Sequence, residues 1–179
     1  MITRDPTLLQ PEPLSAQAFA PYGTVIETEG VFPITINEGF AKRYDDLARV
    51  PVGADGETKI SLFRAEPRPM PIALTMMERH PLSAQAFLPM VPDPWLVVVA
   101  DPDQGVDRPG ALRAFLALGH QGVVYHPGVW HHPLLVLRPA SLFLVVDRAG
   151  PGANCDEVSL LETGQAPIQI ALPNDDFRI

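Results

Sequence analysis

The chain has 179 residues, 46% of them apolar, which fits one domain with a sizeable core, and its formal charge of −8 excludes a nucleic-acid partner that would require a concentrated basic face. No apolar run approaches the ~20 residues needed to span a bilayer, and Met1-Ile2-Thr3-Arg4-Asp5-Pro6 lacks the apolar stretch of a secretory signal, so no membrane partner and a soluble, cytoplasmic protein are expected. The single cysteine, Cys155, excludes an internal disulfide, fits a reducing compartment, and beside Asp156 reads as a structural thiol of raised pKa rather than a nucleophile.

Twenty-one prolines leave almost no segment of helical length uninterrupted. In chain order, the pattern predicts a short helix over residues 15–20 with Ser15 as its N-cap, and strands over 23–27 and 33–37. A second short helix is expected over 44–49, then an exposed loop over 50–57 and a strand over 59–64. Further strands are expected over 72–77, 86–90 and 95–99, followed by a loop over 100–110. The remaining strands are placed over 112–116, 122–125, 134–137, 142–146 and 168–171. So many short strands without a crossover helix predict an all-β fold, an antiparallel sandwich or barrel. The heptamer Pro-Leu-Ser-Ala-Gln-Ala-Phe occurs at residues 13–19 and again at 81–87; it is read as a helix in the first copy and as turn and strand in the second, not as an internal repeat.

Three of the five histidines fall in the run Tyr125-His126-Pro127-Gly128-Val129-Trp130-His131-His132-Pro133. Imidazole titrates near neutral pH and ligates metals, and the Pro-Gly pair dictates a turn that aims several rings into one cavity. His132, adjacent to His131 in a strand, is expected to point the other way. A second polar cluster, Glu78-Arg79-His80-Pro81-Leu82-Ser83-Ala84-Gln85, follows an expected strand, and period-two alternation puts Glu78 and His80 on one face. Against an acidic background, Arg43 and Arg64 are candidates to bind an anion. No phosphate-cradling glycine pattern supports nucleotide binding.

The spacing Glu78-x-His80-x4-Gln85 followed by Gly128-x-x-His131 resembles the cupin motif, with Gln85 in place of the usual glutamate. The wording around it is more specific. Glu78-Arg79-His80-Pro81-Leu82-x-x-Gln85-Ala86-Phe87, Gly122-Val123-x-Tyr125-His126-x-x-Val129-Trp130-His131-His132-Pro133-Leu134, and Asp147-Arg148 with Asn154-Cys155-Asp156 resemble the ureidoglycolate lyase family. Ile36-Asn37-x-Gly39 and Arg43-Tyr44-x-Asp46-Leu47 do so too, and the resemblance runs in order over residues 13–160.

That resemblance implies a homodimeric cupin-type barrel that splits ureidoglycolate into glyoxylate and urea in allantoin breakdown. The substrate's central carbon carries a hydroxyl, a carboxylate and a urea nitrogen, so cleavage needs a base, an acid and a partner for the carboxylate. His126 or His131 is the expected base, with the other ring, or a Glu78 of raised pKa, as acid and His80 beside them. Arg64, whose strand neighbours Ile60 and Leu62 share its face, is the expected carboxylate clamp, and Arg43 the next candidate. Asn37 and Tyr125 would orient the ureido group, with Gln85 and Trp130 lining the pocket. Glu78, His80 and His131 also form a set suited to Fe, Ni, Mn or Zn. The resemblance implies no obligatory cofactor and at most a weakly held divalent ion, nickel being the one associated with the family. A metal-dependent cupin oxygenase or isomerase, and a non-catalytic small-molecule-binding cupin, are the alternatives.

Overall fold

Short apolar runs can bury themselves only against one another, and the computed structural model, which describes residues 5–101, 111–161 and 167–172, resolves the chain into stacked sheets. The chain begins with β1 (Thr7–Leu9), β2 (Glu12–Pro13), α1 (Ala16–Phe19), β3 (Gly23–Ile26), β4 (Ile34–Ile36), β5 (Ala41–Arg43) and β6 (Glu57–Ala65). It continues with β7 (Ile72–Leu74), β8 (Met76–Arg79), β9 (Gln85–Pro89), β10 (Trp95–Ala100), β11 (Leu112–Ala117) and β12 (Gly122–Tyr125). The last strands are β13 (Leu135–Val136), β14 (Ser141–Ala149), β15 (Asp156–Ser159) and β16 (Ile168–Ile170). No described helix is long and apolar enough to cross a membrane.

Two sheets carry the architecture, a five-stranded one in the order β3-β12-β9-β14-β6 and a four-stranded one in the order β13-β10-β11-β2. Their facing sides meet in one core, where Phe87, Val123, Tyr125, Phe143 and Val145 of the first pack on Trp95, Val97, Phe115 and Ala117 of the second. The Trp95 ring meets Phe143 edge-on at 4.9 Å, and its indole N–H donates to the Gln121 carbonyl at 3.1 Å, so its one polar atom is satisfied. Ser15 caps α1 by accepting from the Ala18 N–H at 3.2 Å, and Phe19 enters the same core. On the outer side of the four-stranded sheet lies a second core, formed by Leu96, Val98, Ala114, Trp130 and Leu135 with Ile72, Leu74 and Ile170 of the β1-β16-β7 sheet. β10 is therefore buried on both faces, which is why it reads Trp-Leu-Val-Val-Val-Ala without alternation.

This is a cupin-like all-β fold, with several departures from the expected elements. Residues 44–49 form no helix: Asp46 is left-handed at φ 55°, and Arg43 and Arg49 turn back to pair with Asp45 at 3.2 Å and Asp46 at 2.8 Å. The expected strand over 72–77 breaks at Thr75, because β7 pairs with β16 while β8 leaves to pair with β15. The pairing is not wholly antiparallel, since β1–β16 and β2–β11 are parallel. Residues 102–110 of the expected loop lie outside the described residues. The two copies of the heptamer do differ: the first holds α1, and the second is a turn leading into β9.

Candidate active site

Both polar clusters are joined through backbone before any side chain meets. The turn after β12 places Gly128 at φ 78°, a conformation glycine adopts freely, and its N–H donates to the His80 carbonyl at 2.8 Å. The chain then runs between β8 and β10: Glu78 and His131 exchange both backbone bonds at 2.8 Å, and the His132 N–H donates to Val98 at 2.9 Å. Glu78 and His131 are thus direct cross-strand neighbours. Together with His80 they offer three ligand atoms that all lie within 4.8 Å of one another.

The hydrogen bonds fix which nitrogens face this centre. Nδ1 of His131 lies 2.9 Å from the Val129 carbonyl, and Nδ1 of His80 lies 2.6 Å from the Asn154 carbonyl. A carbonyl can only accept, so each Nδ1 carries a proton and each Nε2 is left to act as base, acid or ligand. Both Nε2 atoms are buried and have no hydrogen-bond partner in the described chain. At 3.6 Å, His131 Nε2 and Glu78 Oε1 are at ion-pair rather than hydrogen-bond distance. Burial works to raise the Glu78 pKa, but His131, then His80 and His132, overcome it and leave the carboxyl below its usual range. A Glu78 of raised pKa serving as acid is therefore not what the structure presents.

Tyr125 stacks on His131, with ring centroids 4.1 Å apart and planes 9° from parallel, which fixes the imidazole against rotation. Burial, aided by the Glu78 charge, pushes the Tyr125 phenol far up, so it stays neutral. Gln85, opposite Tyr125 in the β9–β12 ladder, has a buried Oε1 without a hydrogen-bond partner. Trp130 belongs to the second core and lies under the Arg79 guanidinium at 4.7 Å, while its own Nε1 is buried and unpaired. His132 is buried beside the site but outside the three-residue centre. Its Nδ1 meets the Pro133 carbonyl at 2.7 Å, and burial lowers its pKa to about 4, so the ring is neutral.

Other expected residues stand apart. His126 is exposed, and its backbone N–H donates to Tyr22 rather than into the centre. Arg64 sits on the wrong face for a clamp within its own chain. Register puts Phe63 opposite Phe143 on the core side, so Arg64, Ile60 and Leu62 share the outer face, where Ile60 and Leu62 are 67% and 61% exposed. Asn37 and Arg43 lie on the β4–β5 hairpin, both exposed, with Arg43 on Asp45.

The structure adds residues that residue-type reasoning did not single out. Asn154 takes the His80 proton on its carbonyl, accepts from the Leu82 N–H at 2.8 Å and donates to Ser83 at 2.9 Å, so it locks the loop that carries His80. Its only signal in the sequence was the family-like Asn154-Cys155-Asp156 wording. Arg79 pairs with Asp156 at 2.9 Å, and Lys59 with Asp147 at 3.1 Å. Glu78 also forms a second three-residue group with Cys155 and Glu157. Burial, then the charges of Glu78, Glu157 and Asp156, raise the Cys155 pKa, in keeping with an unreactive thiol.

Comparison with known proteins assigns the chain a family. A family model described as ureidoglycolate lyase matches residues 6–167. A protein named ureidoglycolate lyase from Pseudomonas paraeruginosa is 51% identical over 158 residues, covering 88% of this chain and 93% of its own. One of the same name from Burkholderia cepacia is 51% identical over 154 residues, 86% of each chain. Another from Pseudomonas syringae pv. syringae is 53% identical over 148 residues, 82% of this chain and 86% of its own.

Proposed function

The chain belongs to the ureidoglycolate lyase family, and from that premise we propose that it cleaves ureidoglycolate to glyoxylate and urea at the centre formed by Glu78, His80 and His131. The observation that carries this reading is the convergence of two histidines and a glutamate, whose ligand atoms all lie within 4.8 Å of one another in a partly buried cluster. His80 Nε2, held as a lone pair by the Nδ1 bond to Asn154, takes the proton of the substrate hydroxyl. As the carbon–oxygen bond becomes a carbonyl, the carbon–nitrogen bond breaks. His131, whose Nε2 lies 3.6 Å from Glu78, acts as the general acid and delivers a proton to the departing urea nitrogen. Such paired acid and base catalysis typically supplies a factor of ~10²–10⁴. Glu78, kept ionised, stabilises the imidazolium rather than acting as the acid. Tyr125 holds the His131 plane, and Gln85 offers an acceptor for the ureido N–H groups.

The same donor set fits a divalent transition ion, nickel among them. Glu78, His80 and His131 would hold it, with both Nδ1–H groups already anchored on backbone carbonyls in the manner of ligating histidines. When bound, such an ion supplies electrophilic stabilisation of the substrate oxygens. We place the protein in the cytoplasm, as a single-domain homodimer serving the last part of allantoin breakdown. The bare apolar side chains of β6 and of the β4–β5 hairpin support the dimer.

Substituting Glu78→Gln tests the centre, because the shape stays and the charge goes. Turnover of ureidoglycolate is expected to fall about 10²-fold with thermal unfolding little changed. Unchanged kcat in a folded Glu78→Gln protein would place the chemistry elsewhere.

A further inference from the structure

The β4–β5 hairpin has only three residue pairs, and among the described residues no strand or helix outside the hairpin and its own turn packs closely on it. Its turn holds Asn37, Glu38 and Gly39 at φ 52°, 56° and 98°, two of them non-glycine residues in the left-handed region. Phe32 and Phe40 at its ends are 95% and 91% exposed, and Ile34 is 47% exposed. A two-stranded ribbon alone in water is marginal, and left-handed non-glycine residues persist where surroundings hold them. This ribbon therefore calls for a cover that the described residues of its own chain do not provide.

The chain carries a surface suited to be that cover. β6 is the open edge of the five-stranded sheet, nine residues long, with Ile60 and Leu62 bare. An apolar arm and an apolar open edge on one chain fit each other reciprocally between two copies, each giving its arm and receiving the other's. The edge leads to the catalytic centre. Lys59 stands opposite Asp147 in the β6–β14 ladder, and one step past the Val146–Ala86 pair Asp147 comes beside Gln85. Gln85 in turn faces Tyr125, which stacks on His131. Charge agrees as well: the arm ends in Lys42 and Arg43, and the mouth is rimmed by Glu78, Asp147, Asp156 and Glu157.

We propose that each active site is built from two chains, the partner's hairpin bringing its Arg43 guanidinium to the substrate carboxylate and its Asn37 amide to the ureido group. The inference rests on the dimer and the catalytic centre proposed above. It accounts for two polar residues that stay away from the centre of their own chain, and it supplies the bidentate cation a carboxylate needs.

Complementation tests it. His131→Ala and Arg43→Ala chains, each of low activity alone, are co-expressed in equal amounts with two different tags, and the doubly tagged dimer is isolated. With shared sites, one site of every mixed dimer has both His131 and Arg43 intact, so this dimer regains about half the wild-type turnover of ureidoglycolate. Activity no higher than that of the two parents would overturn the proposal, as would a fully active Arg43→Ala enzyme. Asn37→Ala, paired with His131→Ala in the same way, keeps the test open should Arg43→Ala fail to fold. Wild-type cleavage of ureidoglycolate that is lost in His131→Ala upholds the underlying reading by itself, so failure of complementation then counts only against sharing.

Discussion

His131 is held by its strand neighbours, by the Val129 carbonyl and by the Tyr125 ring, so one nitrogen is left to face Glu78 and His80. His132, one residue on, is tied to the Pro133 carbonyl and buried, and burial outweighs both that bond and the Glu78 charge, so its folded pKa of about 4 lies well below its ordinary 6.5. The sign of its effect follows from which state binds protons. Above pH 6.5 both folded and unfolded chains leave it neutral, and its contribution to stability is fully present. As pH falls from 6.5 through about 4, the unfolded chain takes up a proton that the folded one refuses, so that contribution is lost. The shift corresponds to about 3 kcal/mol. A His132→Gln protein is accordingly expected to show a flatter dependence of unfolding free energy on pH between 6.5 and 4 in denaturant titrations. An unchanged slope would show that another group carries the effect. The same contrast separates the two neighbours in function: one ring is poised for proton transfer and the other is kept neutral as packing.

Close approach of elements also constrains single positions. β3 lies so near β12 that a Cβ on Gly23 would come within 1.9 Å of the Val124 carbonyl oxygen, a backbone atom that cannot swing away. Gly23→Ala is expected to destabilise the fold by ~1–3 kcal/mol, seen as a lower urea midpoint, and a neutral effect would mean the sheet can spread. At this scale the sequence was legible wherever local pattern and tertiary demand agreed. β12 falls on its expected residues, and the unbroken apolar run of β10 signals a strand buried on both faces. Elsewhere the outcome depends on pairing that a local pattern does not encode. In β6, Ile60, Leu62 and Arg64 alternate as though they faced a core, yet Phe63 faces inward, against Phe87 at 6.1 Å, because β14 sets the register. Thr75 carries no breaker signal, although β7 and β8 part there for different partners. In the site, the structure brings Glu78, His80 and His131 together, a meeting that the cupin-like spacing suggests only when the family resemblance is added to it. Asn154 carries no such local signal, since it meets His80 through its backbone carbonyl and Leu82 and Ser83 through its side-chain amide, all far away in sequence. Asn37, Arg43 and Arg64 were found as candidates, but spacing could not tell which surface they would face.

For the whole molecule, two stacked sheets fix the centre at one mouth, where the end of β8 and the turn after β12 meet. The two-sheet part of the chain supplies the imidazoles and the carboxylate. The β4–β5 arm carries Asn37 and Arg43, so under the proposed sharing assembly and catalysis become one problem: a core that orders proton transfer, and an edge that would receive a second copy. The bond that breaks decides the chemistry. If a paired imidazole centre expels the urea nitrogen intact, carbon–nitrogen cleavage leaves urea whole, whereas attack of water on the ureido carbonyl would release ammonia. The most direct measurement is to quantify glyoxylate, urea and ammonia from ureidoglycolate with the wild-type enzyme and with His131→Ala. Glyoxylate and urea in equal amounts from wild type, without ammonia, and about 10²-fold slower release from the variant are the predicted result. Ammonia in step with glyoxylate, or undiminished urea release from His131→Ala, would contradict it.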